Sequence, residues 1–382
     1  MRPEVFEAMS KYFQEVYGNP SSFHTPGIQA KKALDDSRET VAKCLNCKPN
    51  EVIFTGSGTE SCNLAIKGIA LANEQKGKHI ITQETEHHAV LHSLDWLKDR
   101  MGFEVTVLNV DKYGMVHSSD LKAAIRDDTI LVTIMYANNE IGTIQPIKGL
   151  AEVARKNKVL FHTDACQAGG LLDINVQNLG VDLMTLNGSK IYGMKGTGLL
   201  YKRTGVKLES WIHGGSHEFG YRAGTENIPG IVALSKAIEL AQSEREEESQ
   251  RLIELRDYLI NSILEQIPDT FLNGHPTQRL PNNANISILN VEGEAITLML
   301  DYEGIYVSSG SACTSHSLKP SHVILSLGLP YEASHGAIRF SFGKRTKKED
   351  IDYLLEKLPA IVERLRNMSP VRLKKEDVLS DR

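Results

Sequence analysis

Short apolar, β-branched runs recur along the first half of the chain, alternating with stretches whose apolar residues return every three or four positions. The runs are EVIFTG (51–56), KHIITQ (78–83), EVTVLNV (104–110), TILVTIMY (129–136), VLFHTD (159–164), VDLMTLNG (181–188) and GTGLLYK (196–202). Near-continuous apolar runs of strand length predict a parallel sheet, because a strand covered on both faces has no polar side. Segments such as SSDLKAAIRD and IKGLAEVARKNK supply amphipathic helices to cover it. After PGIVALSKAIEL the pattern changes. Its periodicity predicts one long charged helix over 229–266, whose EREEE cluster is a solvated face. Beyond it NISILNV, IYVSSG and AIRFSFG read as short strands, and EAITLMLD and KEDIDYLLEKLPAIVERLRN as helices. The expected class is α/β: a large domain over 1–240 built on a mostly parallel seven-stranded sheet, and a smaller α+β domain over 241–382.

Composition narrows the function classes. A formal net charge of -5 leaves no basic excess with which to hold nucleic acid. No apolar run approaches the ~20 residues of a membrane span, and MRPEVFEAMSKYF has no apolar signal core. Five cysteines scattered over 382 residues make no disulfide framework, so a reducing, cytoplasmic setting is expected.

Five places carry candidate chemistry. TGSGTES, Thr55 to Ser61, joins a strand to a helix, and such a turn offers backbone N–H groups and a helix dipole to one phosphate. The match to a dinucleotide fingerprint is poor, since Ser61 stands where a third glycine belongs. Asp164 ends the run VLFHTD; it either caps the next helix or meets a ligand such as a protonated pyridine nitrogen. Lys190 follows a buried strand, where desolvation lowers an amine's pKa and suits it to Schiff-base chemistry. Cys313, in VSSGSACTSHSLKPSH, sits in a segment with no large apolar side chain from Ser308 to Ser317, with His316 and Lys319 nearby to favour a reactive thiolate. Arg339, inside the apolar strand AIRFSFG, calls for a carboxylate partner, either a substrate or an internal ion pair. Cys44 and Cys47 form a lone CxxC, which points to neither a zinc nor a redox site, and no metal is expected. His87 and His88 are equally readable as helix-start residues.

These residues resemble the cysteine desulfurases of the NifS/IscS type, within the class V aminotransferase-like enzymes of fold type I that use pyridoxal 5'-phosphate. The likeness runs through YGNPSSFH, TGSGTES, TEHHAV, ANNEIGTIQPI, HTDACQAGG, SKIYGMKGTG, RAGTENIPGI, SSGSACTS and IRFSFG. The resemblance implies that the larger domain binds the cofactor and the smaller carries the cysteine loop. The first dozen or so residues are expected to associate with the smaller domain. It further implies that Lys190 holds pyridoxal phosphate covalently, that Asp164 pairs with its ring nitrogen, and that Gln167 and Asn139 contact the ring oxygen. His87 would stack on the ring and move protons, and Gly58 and Thr59 would bind the phosphate. Thr225 would reach the phosphate of a partner subunit, making a homodimer. Arg339, with Asn139, would hold the carboxylate of L-cysteine. Cys313 would take the substrate sulfur as a persulfide, able to ligate an iron–sulfur cluster transiently, and pass it to an iron–sulfur scaffold or another acceptor. Three departures stand out. The family's opening strand, of the form YLDNAATT, lies before the first residue here, so that strand and part of the pocket are expected to be missing. Asn187, Gly188 and Ser189 replace a Ser-x-His, so hydrogen bonds to phosphate come from Asn187 and Ser189 and one cationic contribution is lost. Met194 replaces a proline. The alternative readings are a selenocysteine lyase and a catalytically weakened docking protein of the same fold.

Overall fold

The computed structural model describes residues 1–310 and 320–380, and the chain divides into two compact units. The first comprises residues 1–108, 117–136 and 145–245. Its sheet contains β1 (Val52–Thr55), β2 (His79–Gln83), β3 (Glu104–Leu108), β4 (Thr129–Thr133), β5 (Leu160–Asp164), β6 (Leu183–Asn187) and β7 (Gly198–Lys202). They are arranged β1-β7-β6-β5-β4-β2-β3. Pairing is parallel from β6 through β5, β4 and β2 to β3, and antiparallel where β7 meets β6 and β1. The reversal has a local cause: the stretch from Asn187 to Gly198 is too short for the crossover helix that a parallel connection requires.

Every residue of β1, β2, β4 and β7 is buried, as continuous apolar runs require; β3, at the edge, is partly exposed. The helices of this unit are α1 (Pro3–Ser10), α2 (Thr25–Leu45), α3 (Gly58–Asn73), α4 (His88–Met101), α5 (Ser118–Ala124), α6 (Ile147–Lys156), α7 (Val176–Leu179) and α8 (Ile228–Ser243). α3 and α4 pack their apolar faces on the sheet through Ile66, Ile69, Val90, Leu94 and Leu97, which meet Ile53, Ile80, Leu131 and Leu200.

Three expectations are corrected here, and one is the continuous large domain over 1–240: residues 109–116 and 137–144 group with the second unit and the first runs on to 245. The first dozen residues belong to the large unit, because α1 buries Val5 and Met9 against it and Arg2 grips both oxygens of Glu244 at 2.8 Å. The helix expected over 229–266 is two, α8 and α9 (Arg245–Gln266), broken at Glu244.

The second unit comprises 109–116, 137–144 and 246–382. Its antiparallel sheet runs β10-β11-β9-β8, from β8 (Thr270–Asn273), β9 (Asn283–Ile288), β10 (Ser308–Ser309) and β11 (Ala337–Ser341). β8 escaped the sequence reading. The helices α10 (Gly293–Tyr302), α11 (His322–Ser326), α12 (Tyr331–Ser334), α13 (Lys348–Met368) and α14 (Lys375–Ser380) accompany it. No helix among the described residues is long and apolar enough to cross a membrane.

Candidate active site

In the first unit, chemistry gathers where β5 and β6 end and α3 and α4 begin. Ser57 is extended and caps α3, its hydroxyl accepting the Glu60 amide at 3.1 Å. The first-turn amides of Gly58 and Thr59 have no acceptor within the helix and suit an anion. Gly58 has to be glycine: a Cβ there would lie 2.6 Å from the Cys166 sulfur and 3.5 Å from the Asn187 side chain. That crowding shows that the α3 start, the turn after β5 and the end of β6 converge.

Asp164 closes β5 and is 7% exposed. One carboxylate oxygen accepts the Cys166 amide at 3.0 Å, and the other lies 3.7 Å from the Cys62 thiol, which donates to it. Among the described residues no cationic side chain is paired with it. A buried carboxylate held by one amide and one thiol is under-compensated, and a flat heterocycle with a protonated ring nitrogen fits it. Its charge is felt around it. Burial first, and then Asp164, push the Cys62 and Cys166 thiols well up and push Glu86 up to about 8. Burial also takes His162 down to about 4, against the pull of Asp164.

His87 caps α4, and its Nδ1 accepts the Ala89 amide at 3.1 Å, so the neutral ring carries its proton on Nε2. Gln167 is half-buried in the turn after Asp164. Asn187 ends β6, and its side-chain oxygen accepts the Lys190 amide at 3.4 Å. Lys190 lies on the following turn, Ser189–Ile191, and its charge eases the Cys166 thiol downward. The expected desolvation is not found: Ser189 and Lys190 are exposed in the single chain, because the turn passes beyond the strand end. Thr225 is exposed on a loop preceding α8.

In the second unit, Arg339 on β11 donates from Nη1 to the Asn139 carbonyl at 3.0 Å. Ser308 on β10 pairs with Arg339. Cys313, with His316 and Lys319, lies outside the described residues.

Sequence reading missed Cys62, Cys166, Glu86 and the line of buried polar groups behind Asp164. A signal existed for part of it: His162 and Asp164 are two apart in a strand and share one face of an otherwise apolar run.

The family model Aminotransferase class-V matches residues 1–354. A cysteine desulfurase IscS of Methanosarcina thermophila is 55% identical, over 97% of this chain and 91% of that protein. One from Dictyoglomus turgidum is 52% identical over 97% and 94%. Among solved structures, a NifS-like protein superposes with a TM-score of 0.90 at 36% identity, covering 96% of this chain and 97% of its own. The structure titled SspA in complex with cysteine superposes at 0.80 and 33% identity, covering 90% and 95%.

Proposed function

The chain belongs to the class-V aminotransferase family, and from that premise we propose that it is a cytoplasmic, pyridoxal-phosphate-dependent cysteine desulfurase, which converts L-cysteine to L-alanine and holds the sulfur on Cys313. The observation that carries the reading is the buried Asp164 carboxylate with no cationic partner among the described residues, in a chain 55% identical to a cysteine desulfurase.

The residues present fit the cofactor. Gly58 and Thr59 would hold its phosphate with Asn187 and Ser189, Asp164 would hold its ring nitrogen, and Gln167 and Asn139 would hold its ring oxygen. His87 would stack on the ring, and Lys190 would hold it covalently. When bound, the cofactor supplies an electron sink for the pair left at the substrate Cα. Arg339, with Asn139, orients the substrate through its carboxylate. The Lys190 amine would take the Cα proton and later return one. Exposure of Lys190 in the single chain agrees with a site completed by a second copy, to whose phosphate Thr225 contributes. The Cys313 thiolate attacks the substrate sulfur; a sulfur–sulfur bond forms as the carbon–sulfur bond breaks, and the carbon takes a proton to leave as alanine. The persulfide then passes to an acceptor, for which an iron–sulfur scaffold protein is the fitting class.

The test is direct. Purified protein given L-cysteine and a thiol reductant is expected to release alanine and sulfide in equal amounts, and Cys313→Ser to release neither. Full activity in Cys313→Ser overturns the persulfide step, and a wild type that takes up no pyridoxal phosphate overturns the whole reading.

A further inference from the structure

Behind Asp164 runs a line of buried polar side chains that crosses three strands and ends on a helix. The Thr133 hydroxyl on β4 bonds His162 Nδ1 on β5 at 2.8 Å, and His162 Nε2 meets the Thr185 hydroxyl on β6 at 3.0 Å. Thr185 acts to lower the pKa of the Cys62 thiol on α3 against its burial, and that thiol reaches Asp164 at 3.7 Å. Thr133, His162, Thr185 and Cys62 are all 0% exposed. Register makes the line possible: Thr133 is opposite His162, and Thr185 opposite Asp164. We propose that Cys62 is a positioning residue, whose thiol donates to Asp164 and, backed by Thr185, keeps that carboxylate anionic against the ring nitrogen of the bound cofactor.

The inference rests on the pyridoxal-phosphate reading above. Its physical content is a choice between two states of one proton. An Asp164 carboxylate facing a protonated ring is a buried ion pair; the same proton moved to Asp164 gives a neutral pair. Low dielectric favours the neutral pair, and each donor to the carboxylate favours the ion pair. Cys62 is such a donor and not an acid, because burial and the Asp164 charge hold its thiol protonated. Three other buried groups face the same carboxylate charge: the Cys166 thiol, which burial and Asp164 keep protonated, His162, kept neutral by burial, and Glu86, whose protonation burial favours. None of them adds a cation, so donors decide.

Alanine and serine at position 62 are close in size and differ in the donor. In Cys62→Ala the ring is less protonated and the electron sink weaker, so kcat falls about 5-fold with KM for cysteine little changed, as for one lost hydrogen bond of ordinary net strength. Less positive charge in the ring also raises the pH midpoint of the bound cofactor's visible absorbance, by about 0.7 units for the same factor. Cys62→Ser is expected to restore both, and Thr185→Val to shift the midpoint in the same direction by less. A merely structural Cys62 would lower the melting temperature and leave the midpoint in place. If wild type takes up the cofactor and the midpoint is the same in Cys62→Ala and Cys62→Ser, the inference falls while the desulfurase reading stands. If wild type takes up none, both fall. Should Cys62→Ala not fold, an unshifted midpoint in Thr185→Val overturns the proposal.

Discussion

Two carboxylates in the large unit are equally buried and oppositely furnished. Glu218 is met by Arg38 through both oxygens, at 2.7 and 2.8 Å, and by the Phe54 amide at 2.8 Å. The Arg38 guanidinium lies between the rings of Phe54 and Phe219, 4.9 and 4.8 Å from their centroids. Glu218 and Phe219 adopt left-handed backbone, at φ 45° and 58°, so the ion pair and the aromatic sandwich hold a strained turn. Asp164 has an amide and a thiol and no cationic partner among the described residues. A complete set of partners marks a structural group; a charge left short of one, at the end of a parallel strand, marks a place for a ligand.

The comparison can be broken at either end. The largest effect is expected at the ligand end: Asp164→Asn keeps the shape and removes the charge, and should cut alanine formation by at least about 100-fold while the protein stays folded. Circular dichroism beside a steady-state assay checks this, and an active Asp164→Asn would make Asp164 one more structural group. At the other end, Arg38→Ala leaves the Glu218 charge buried and alone. Denaturant unfolding should show a loss of roughly 3–5 kcal/mol, with the visible spectrum of bound cofactor unchanged.

The smallest effect sharpens the contrast through pH. Glu86, up at about 8 from an ordinary 4.5, binds its proton more tightly folded than unfolded. The stability this lends is present below about 4.5 and is lost as pH rises toward about 8. Glu86→Gln removes that slope, so its melting temperature should gain on wild type at about pH 8.5 and lose the advantage near about pH 4.5. A parallel pair of melting curves would place the charge of Glu86 elsewhere. His162 acts on the acid side with the opposite sign, since its folded value of about 4 lies below an ordinary 6.5. Stability is lost there as pH falls through that window.

Much of the fold was legible because its signals are local. All seven strands of the large sheet coincide with apolar runs visible in the chain, and the reversal of β7 follows from a short connection. The break at Glu244 was not legible, since both helices continue one apolar period and the interruption is marked by a distant partner, Arg2. β8 was missed for a related reason. TFLN is four residues long and becomes a strand only beside β9.

The linear chain alone determined where strands and helices form and which motifs set Asp164 and Lys190 at strand ends, because periodicity and turn chemistry act over a few residues. Tertiary structure alone decided that Cys62, 102 positions before Asp164, donates to it, and that Thr133, His162 and Thr185 line up behind. A hydrogen bond across strands depends on sheet order and register, and these are set by packing the whole domain.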